Sequence, residues 1–132
     1  GSELVCFGDI DIENNRAWGE ERCRNVGLDA VYPLWHHDRQ ENVREVLELG
    51  YRCLIKTLDR RVLPRQLLGR VMDRAMVEEM IACGVDICGE NGEFHTIAVD
   101  GPVFHRPIPY CVRQLLDLGD YSVADITVPE KE

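Results

Sequence analysis

Leu4-Val5-Cys6-Phe7-Gly8-Asp9-Ile10 opens the chain with four apolar residues stopped by a glycine and an aspartate. A short unbroken apolar run of this kind is the pattern of a strand buried on both faces, and Gly8-Asp9 marks its end. Moving outward, residues 11–26 read as a polar helix carrying Trp18, with Gly27 as its C-terminal stop. Ala30-Val31-Tyr32 reads as a second strand, ended by Pro33. Strand, helix, strand in that order predicts a parallel pair joined by a right-handed crossover.

The pattern continues. Asp38, with Glu41 three residues on, is a capping box for a helix bearing Val43, Val46 and Leu47 and closed by Gly50. Residues 51–57 predict a third strand centred on Cys53, Leu54 and Ile55, which would extend the parallel alternation. The segment 58–70 is irregular and basic, with Arg60, Arg61, Arg65 and Arg70. Asp73 reads as the cap of a helix whose stripe is Met76, Val77, Met80 and Ile81, ended by Gly84. A strand over 93–99 should follow, with Asp100-Gly101 as a hairpin turn and Val103-Phe104-His105 returning until Pro107 and Pro109 break it. Two more short strands are expected around 110–116 and 121–126. The fold class is therefore α/β: a parallel strand–helix–strand piece, then a smaller α+β domain with an antiparallel hairpin. The composition shift near Trp35 divides the chain into 3–35 and 36–132.

The bulk properties exclude several functions. The chain has 132 residues, 45% of them apolar, and a formal net charge of −9, spread along its length. That charge argues against an autonomous nucleic-acid binder or a ligand of anionic membranes. No segment has the length of a membrane span and no signal peptide is visible, which predicts a cytoplasmic protein. Gly1-Ser2 reads as the scar of a removed tag. The six cysteines form no C-x-x-C pair and mostly fall in apolar segments, so they read as buried free thiols. Cys83 or Cys88 with His95 matches no zinc spacing, and adjacent His36-His37 before Asp38 point apart in a strand, so no metal site is predicted.

Gly89-Glu90-Asn91-Gly92-Glu93-Phe94-His95-Thr96 is the densest cluster of chemistry-bearing residues. Strand alternation puts Glu93 and His95 on one face, roughly 6.5 to 7 Å apart, and sends Phe94 and Thr96 the other way. Ile97 and Val99 continue the first face, giving two titratable groups at the mouth of an apolar floor. Gly89 and Gly92 allow a tight turn that aims Glu90 and Asn91 at the same volume. The same residues also suit an ordinary turn into a strand, with Glu93 and His95 on an exposed face. Asp9 has two readings as well: a ligand-binding group at the carboxyl end of a parallel strand, or the cap of the next helix.

Phe7-Gly8-Asp9-Ile10, Val31-Tyr32-Pro33-Leu34-Trp35, Cys88-Gly89-Glu90-Asn91-Gly92-Glu93-Phe94-His95-Thr96 and Asp100-Gly101-Pro102, in that order, resemble the diphthine–ammonia ligase family. That family belongs to the N-type ATP pyrophosphatases, or PP-loop ATPases. The resemblance runs over about residues 3–110, and the G-E-N-G-E-F-H-T string carries most of its specificity. It implies an ATP-dependent amidation: ATP adenylylates a carboxylate with release of pyrophosphate, and ammonia then displaces AMP. The implied acceptor is diphthine on elongation factor 2, and the implied nucleotide domain is a Rossmann-like HUP fold using ATP with magnesium. By the same resemblance Gly8 and Asp9 lie at the nucleotide edge, Glu90, Glu93 and His95 are the catalytic candidates, and Asn91, Thr96 and Arg70 contact substrate. The proton acceptor is either Glu93 or His95.

The family's S-G-G-K-D-S loop, which supplies the backbone donors that hold pyrophosphate, does not occur in this sequence. The chain is therefore expected to be a C-terminal portion, weak in ATP binding and inactive alone, with 3–35 as the end of the HUP domain and 36–132 as the acceptor-binding domain. Its uncovered apolar strands predict a homo-oligomer through the sheet edge. The competing expectation is a non-catalytic nucleotide- or metabolite-binding module. A small-molecule or protein-borne carboxylate is the partner in the first case and a regulatory ligand in the second.

Overall fold

The structure is a computed structural model that describes residue 1 and residues 3–130. Ser2 of the expected tag scar and the last two residues of the 36–132 segment lie outside the described residues. The chain divides into two compact units, residues 1–41 and 42–132.

In the first unit β1 (Leu4–Cys6) and β2 (Asp29–Val31) pair in parallel, with Val5 opposite Ala30. The crossover is α1 (Glu13–Asn25), which ends as Gly27 takes a positive φ of 72°. Both strands are three residues long and largely exposed, so the expected two-sided burial of Leu4-Val5-Cys6-Phe7 is not seen: Leu4 is 55% exposed. The unit is held by aromatic packing instead. Phe7 stacks on Tyr32 at 5.2 Å between ring centroids, and Arg16 lies over the rings of Tyr32 and Trp35 at 5.4 and 4.9 Å. The Tyr32 hydroxyl donates to the Arg16 carbonyl at 2.9 Å. This brings the ring so close to α1 that a Cβ at Gly19 would collide with the Tyr32 hydroxyl and lie 3.1 Å from the Phe7 ring.

The second unit begins within α2 (Arg39–Glu48), the helix whose start is capped as expected: the Glu41 N–H donates to Asp38 Oδ1 at 2.9 Å. Next come β3 (Arg52–Asp59), a single 3-10 turn (Arg65–Leu67), α3 (Arg74–Ala82), β4 (Phe94–Asp100), β5 (Cys111–Leu118) and β6 (Tyr121–Thr127). The four strands form one antiparallel sheet in the order β4-β3-β6-β5. β3 therefore does not extend the parallel pair. Its eight residues find antiparallel partners on both sides, where the three-residue β1 and β2 offer few ladder hydrogen bonds.

Helix α3 is capped by Asp73, whose Oδ1 accepts from the Met76 N–H at 2.8 Å. Met76 and Met80 are buried, but Ile81, expected on the same stripe, is 48% exposed. The core joins Val43 of α2, Met76 and Met80 of α3, Ile55 and Leu58 of β3, Phe94 of β4 and Ala124 of β6. All these strand residues lie on one face of the sheet, and the opposite face carries the residues described below.

Two further expectations are corrected. Asp100-Gly101 does not open a hairpin. The Phe104 N–H closes a local turn on the Gly101 carbonyl at 3.0 Å, and residues 101–110 form no strand. Pro102, Pro107 and Pro109 cannot donate to a ladder, which is the physical reason. The hairpin forms instead between β5 and β6, where Asp117 accepts from the buried Ser122 hydroxyl at 2.6 Å and from Arg65 at 2.9 Å. The cysteines are free, as expected, but only Cys23 is buried, while Cys6, Cys83 and Cys111 are exposed.

Gly19→Ala is expected to destabilise the first unit by about 1–3 kcal/mol, because the helix must move off Tyr32 and Phe7. Trp18→Ala, one residue away but exposed, should shift the urea midpoint by no more than about 0.5 kcal/mol in free-energy terms. Equal effects in urea denaturation would remove the packing argument. In the second unit Asp73→Ala should cost about 1 kcal/mol by the same measurement, through loss of the cap.

Candidate functional site

The G-E-N-G-E-F-H-T loop is shaped by a residue outside it. The Asp86 carboxylate accepts from the Cys88 N–H through Oδ1 and from the Glu90 N–H through Oδ2, both at 3.0 Å. The Asp86 carbonyl accepts from the Gly89 N–H at 3.0 Å. A short acidic side chain that folds back on the next amides is the usual use of aspartate in a turn, so Val85-Asp86 just after Gly84 was the available signal. Gly89 has a φ of 68°, and a Cβ there would lie 2.9 Å from the Phe94 carbonyl oxygen. The loop needs glycine at this point on both counts.

From this turn the chain enters β4. The Asp59 N–H donates to the Glu93 carbonyl at 2.9 Å, Leu58 stands opposite Phe94, and Thr57 stands opposite His95. Phe94 is buried in the core, as alternation predicted. Residues directly opposite in an antiparallel ladder share a face. Glu93, His95, Thr57 and Asp59 therefore lie together on the face away from the helices. Val123 and Tyr121 of β6 join them opposite Thr57 and Asp59, and Leu116 and Leu118 of β5 complete the row.

The polar residues of this row are unevenly satisfied. Asn91 Nδ2 donates to Glu93 Oε1 at a long 3.4 Å. Glu93 Oε2 and Thr57 Oγ1 are both buried and have no hydrogen-bond partner among the described residues. The Tyr121 hydroxyl reaches the Gly92 carbonyl at 3.4 Å. Asp59 is 6% exposed and is gripped by Arg61, whose Nη2 lies 2.7 Å from Oδ2 and whose backbone N–H donates to Oδ1 at 2.9 Å. The Arg61 side-chain hydrogen bonds, backed by that backbone bond, hold the Asp59 carboxyl below the ordinary aspartate range.

Of the residues singled out by sequence, the fold thus joins Asn91, Glu93 and His95. Glu90 is half-buried and tethered by its backbone to Asp86. Thr96 is exposed opposite Ile55, and Arg70 lies on the other side of β3, where its carbonyl accepts from the Ile55 N–H at 3.0 Å. The apolar floor is shorter than expected. Val99 is 5% exposed, but Ile97, on the same face of β4, is 44% exposed. Thr57 and Asp59, on a strand with no chemical motif, escaped sequence reading.

Gly8 and Asp9 are described within the first unit. Gly8 is exposed with open space where a Cβ would stand, and Asp9 is half-buried. Burial raises the Tyr32 phenol pKa, and the nearby Glu20 and Asp9 carboxylates add to the effect. The start of α1 does not suit a nucleotide phosphate. Ile12 provides no side-chain cap, Glu13 sits in the first turn, and Asp11 is paired with Arg39. Carboxylates already complement the positive end of this helix, and they repel phosphate. Among the described residues no three His, Cys, Asp or Glu side chains converge as metal ligands. No helix is long and apolar enough to cross a membrane.

Two measurements check this site. Asp86→Ala should speed hydrogen exchange at the Cys88 and Glu90 amides and cost about 1–2 kcal/mol, since two N–H groups lose their acceptor. Unchanged protection would show that the loop does not depend on Asp86. The second is a pH profile. Asp59 titrates lower when folded than when unfolded, so its contribution to stability is complete above about pH 4 and is lost as the pH falls through the folded value. Arg61→Gln should flatten the acid limb of the stability–pH curve and leave its slope near neutral pH unchanged.

Known proteins resemble this chain. The family model described as diphthamide synthase C-terminal domain matches residues 38–114. A diphthine–ammonia ligase of Homo sapiens is 27% identical over 110 residues, covering 80% of this chain and 41% of that protein. One of Danio rerio is 31% identical over 108 residues, covering 79% and 42%. One of Schizosaccharomyces pombe is 24% identical over 130 residues, covering 96% of this chain but 21% of that longer protein. The chain thus spans about two fifths of the length of its vertebrate relatives. The family match takes in β3, the Asp86 turn and β4, which carry the polar face, and on that ground the chain belongs to the diphthamide synthase C-terminal domain family.

Proposed function

We propose that this chain supplies the acceptor-side part of an ATP-dependent amide ligase of the diphthine–ammonia type. The overall reaction joins a substrate carboxylate to ammonia: adenylylation releases pyrophosphate, and nitrogen attack on the acyl carbon expels AMP. Diphthine is the acceptor that the relatives' name suggests, and the family resemblance implies that it is carried on elongation factor 2. The observation that carries this reading is the half-buried Glu93 carboxylate, anchored on one oxygen by Asn91 and unpartnered on the other, inside the segment that matches the family.

The roles follow from chemistry. Amidation needs a proton acceptor beside the attacking nitrogen, and Glu93 or His95, on one face of β4, serves there. Asn91 fixes the Glu93 carboxylate. Glu90, in the adjoining turn, contacts the acceptor, whereas Thr96 and Arg70 lie away from this face. The described residues around Gly8 and Asp9 offer no phosphate cradle, so nucleotide turnover draws on residues other than these. The short β1–β2 sheet has unpaired edges, with Leu4 55% and Val31 36% exposed, and this favours self-association of the chain.

The decisive experiment measures pyrophosphate release by the native protein with ATP, ammonium and a carboxylate acceptor. Glu93→Gln should lower the rate by about 100-fold or more without unfolding the protein. A metabolite-binding module would show altered ligand affinity and no turnover to lose. A light-scattering mass of this chain above that of one copy is expected for the edge contact, and a monomer at high concentration would refute it.

A further inference from the structure

We propose that the outer edge of β4, at Thr96 and Ala98, takes up an extended basic segment of another protein as an added strand. The proposal goes beyond the amide-ligase reading and does not depend on it.

The backbone of β3 determines what β4 presents on its outer side. The Ile55 N–H donates to the Arg70 carbonyl at 3.0 Å, and the Ile55 carbonyl accepts from the Gly69 N–H at 2.8 Å. The Cys53 carbonyl accepts from the Met72 N–H at 2.8 Å. Thr96 stands opposite Ile55 and Ala98 opposite Cys53, so both are the non-hydrogen-bonded pairs of the antiparallel ladder. Their N–H and C=O groups therefore point away from β3, off the end of the β4-β3-β6-β5 sheet. Water solvates these groups in the free protein. An extended backbone carries the same donors and acceptors at the same two-residue spacing and can replace that water.

The two edges of the sheet differ. Proteins blunt exposed edges with bulges, prolines, charged side chains or covering segments. The β5 edge is blunted: its register skips Arg113, and Arg65 Nη2 reaches the Leu115 carbonyl at 3.5 Å. The β4 edge is covered only at its ends. The Ile108 N–H donates to the Val99 carbonyl at 2.8 Å, and the Gly89 turn lies so close to the Phe94 carbonyl that a Cβ there would be 2.9 Å away. Between these ends His95, Thr96, Ile97 and Ala98 are all exposed and include no lysine, proline or carboxylate. The Ile108 bond is already a backbone contact of this edge with a segment flanked by Pro107 and Pro109.

Charge selects the occupant. Residues 86–100 hold Asp86, Glu90, Glu93 and Asp100 and no lysine or arginine; Arg106 follows in the segment that closes the Val99 end. A basic strand is attracted to this edge and an acidic one is repelled. A second copy of β4 brings the same carboxylates to the contact, so the occupant is another protein. Ile97, 44% exposed, offers apolar surface to alternate side chains of the added strand.

The probe is an acetylated and amidated hexapeptide of alternating valine and lysine, added to this chain while amide hydrogen exchange is followed by NMR. Exchange at Thr96 and Ala98 is expected to be fast without peptide and to slow saturably with it. Ile97, whose backbone faces Leu54 in the ladder, should be protected throughout. The same peptide N-methylated at every residue should give no protection, and a valine–glutamate version should bind about tenfold more weakly at low ionic strength. Thr96→Pro removes an edge donor that the sheet does not use, a place where proline is tolerated, and should weaken binding about tenfold. Equal effects of the methylated peptide, equal binding of the glutamate version or unaltered binding by Thr96→Pro would overturn the proposal. So would slow exchange at Thr96 and Ala98 without peptide together with a doubled mass, which would give the edge to a second copy. The N-methyl comparison decides the matter even if Thr96→Pro does not fold. Pyrophosphate release by the native protein tests the amide-ligase reading separately, so either can fail alone.

Discussion

The pairing of β3 with β4, where Leu58 stands opposite Phe94 and the Asp59 N–H meets the Glu93 carbonyl, governs the second unit. On one side of the ladder it drives Leu58 and Phe94 into the methionine core. On the other side it lines up Thr57, Asp59, Glu93 and His95. Because strand side chains alternate strictly, a slip of one residue would bury Glu93 and expose Phe94. The apolar core thus fixes the register, and the register places the polar face. The polar face is positioned by apolar residues that are not part of it.

Around that ladder the loop is prepared rather than loose. Asp86 satisfies two backbone N–H groups of the turn, Gly89 admits the close approach of the Phe94 carbonyl, and Asp73 caps the preceding helix. Arg61 clamps Asp59 from the far end of β3, and it also lies 3.4 Å from Asp120 in the β5–β6 hairpin. The site face is braced at both ends by local carboxylates. The Glu93 carboxylate and Thr57 hydroxyl, left unmatched in the middle, stand out against this otherwise satisfied background.

The resemblance read from Cys88-Gly89-Glu90-Asn91-Gly92-Glu93-Phe94-His95-Thr96 agrees with the family found over residues 38–114. The same string reads locally as a glycine turn entering a strand, and the structure contains both: a turn closed by Asp86 and a strand whose outward face is polar. The family name carries a whole protein more than twice as long as the matched region. Within the matched region this chain holds the sheet face and its loop.

Local rules were enough to read the helices, because caps and stops act within a few residues. Asp38, Asp73, Gly27 and Gly84 mark ends that the structure reproduces. Strand existence was equally legible for β5 and β6. Partner choice was not. Residues 51–57 look the same whether they join a parallel or an antiparallel sheet, and only the competition among distant strands gave β3 to β4 and β6. Asp100-Gly101 had hairpin chemistry, yet the prolines beyond it left no strand to return. Thr57 and Asp59 became site residues solely through their position opposite His95 and Glu93, a relation set by long-range hydrogen bonding that no window of sequence contains.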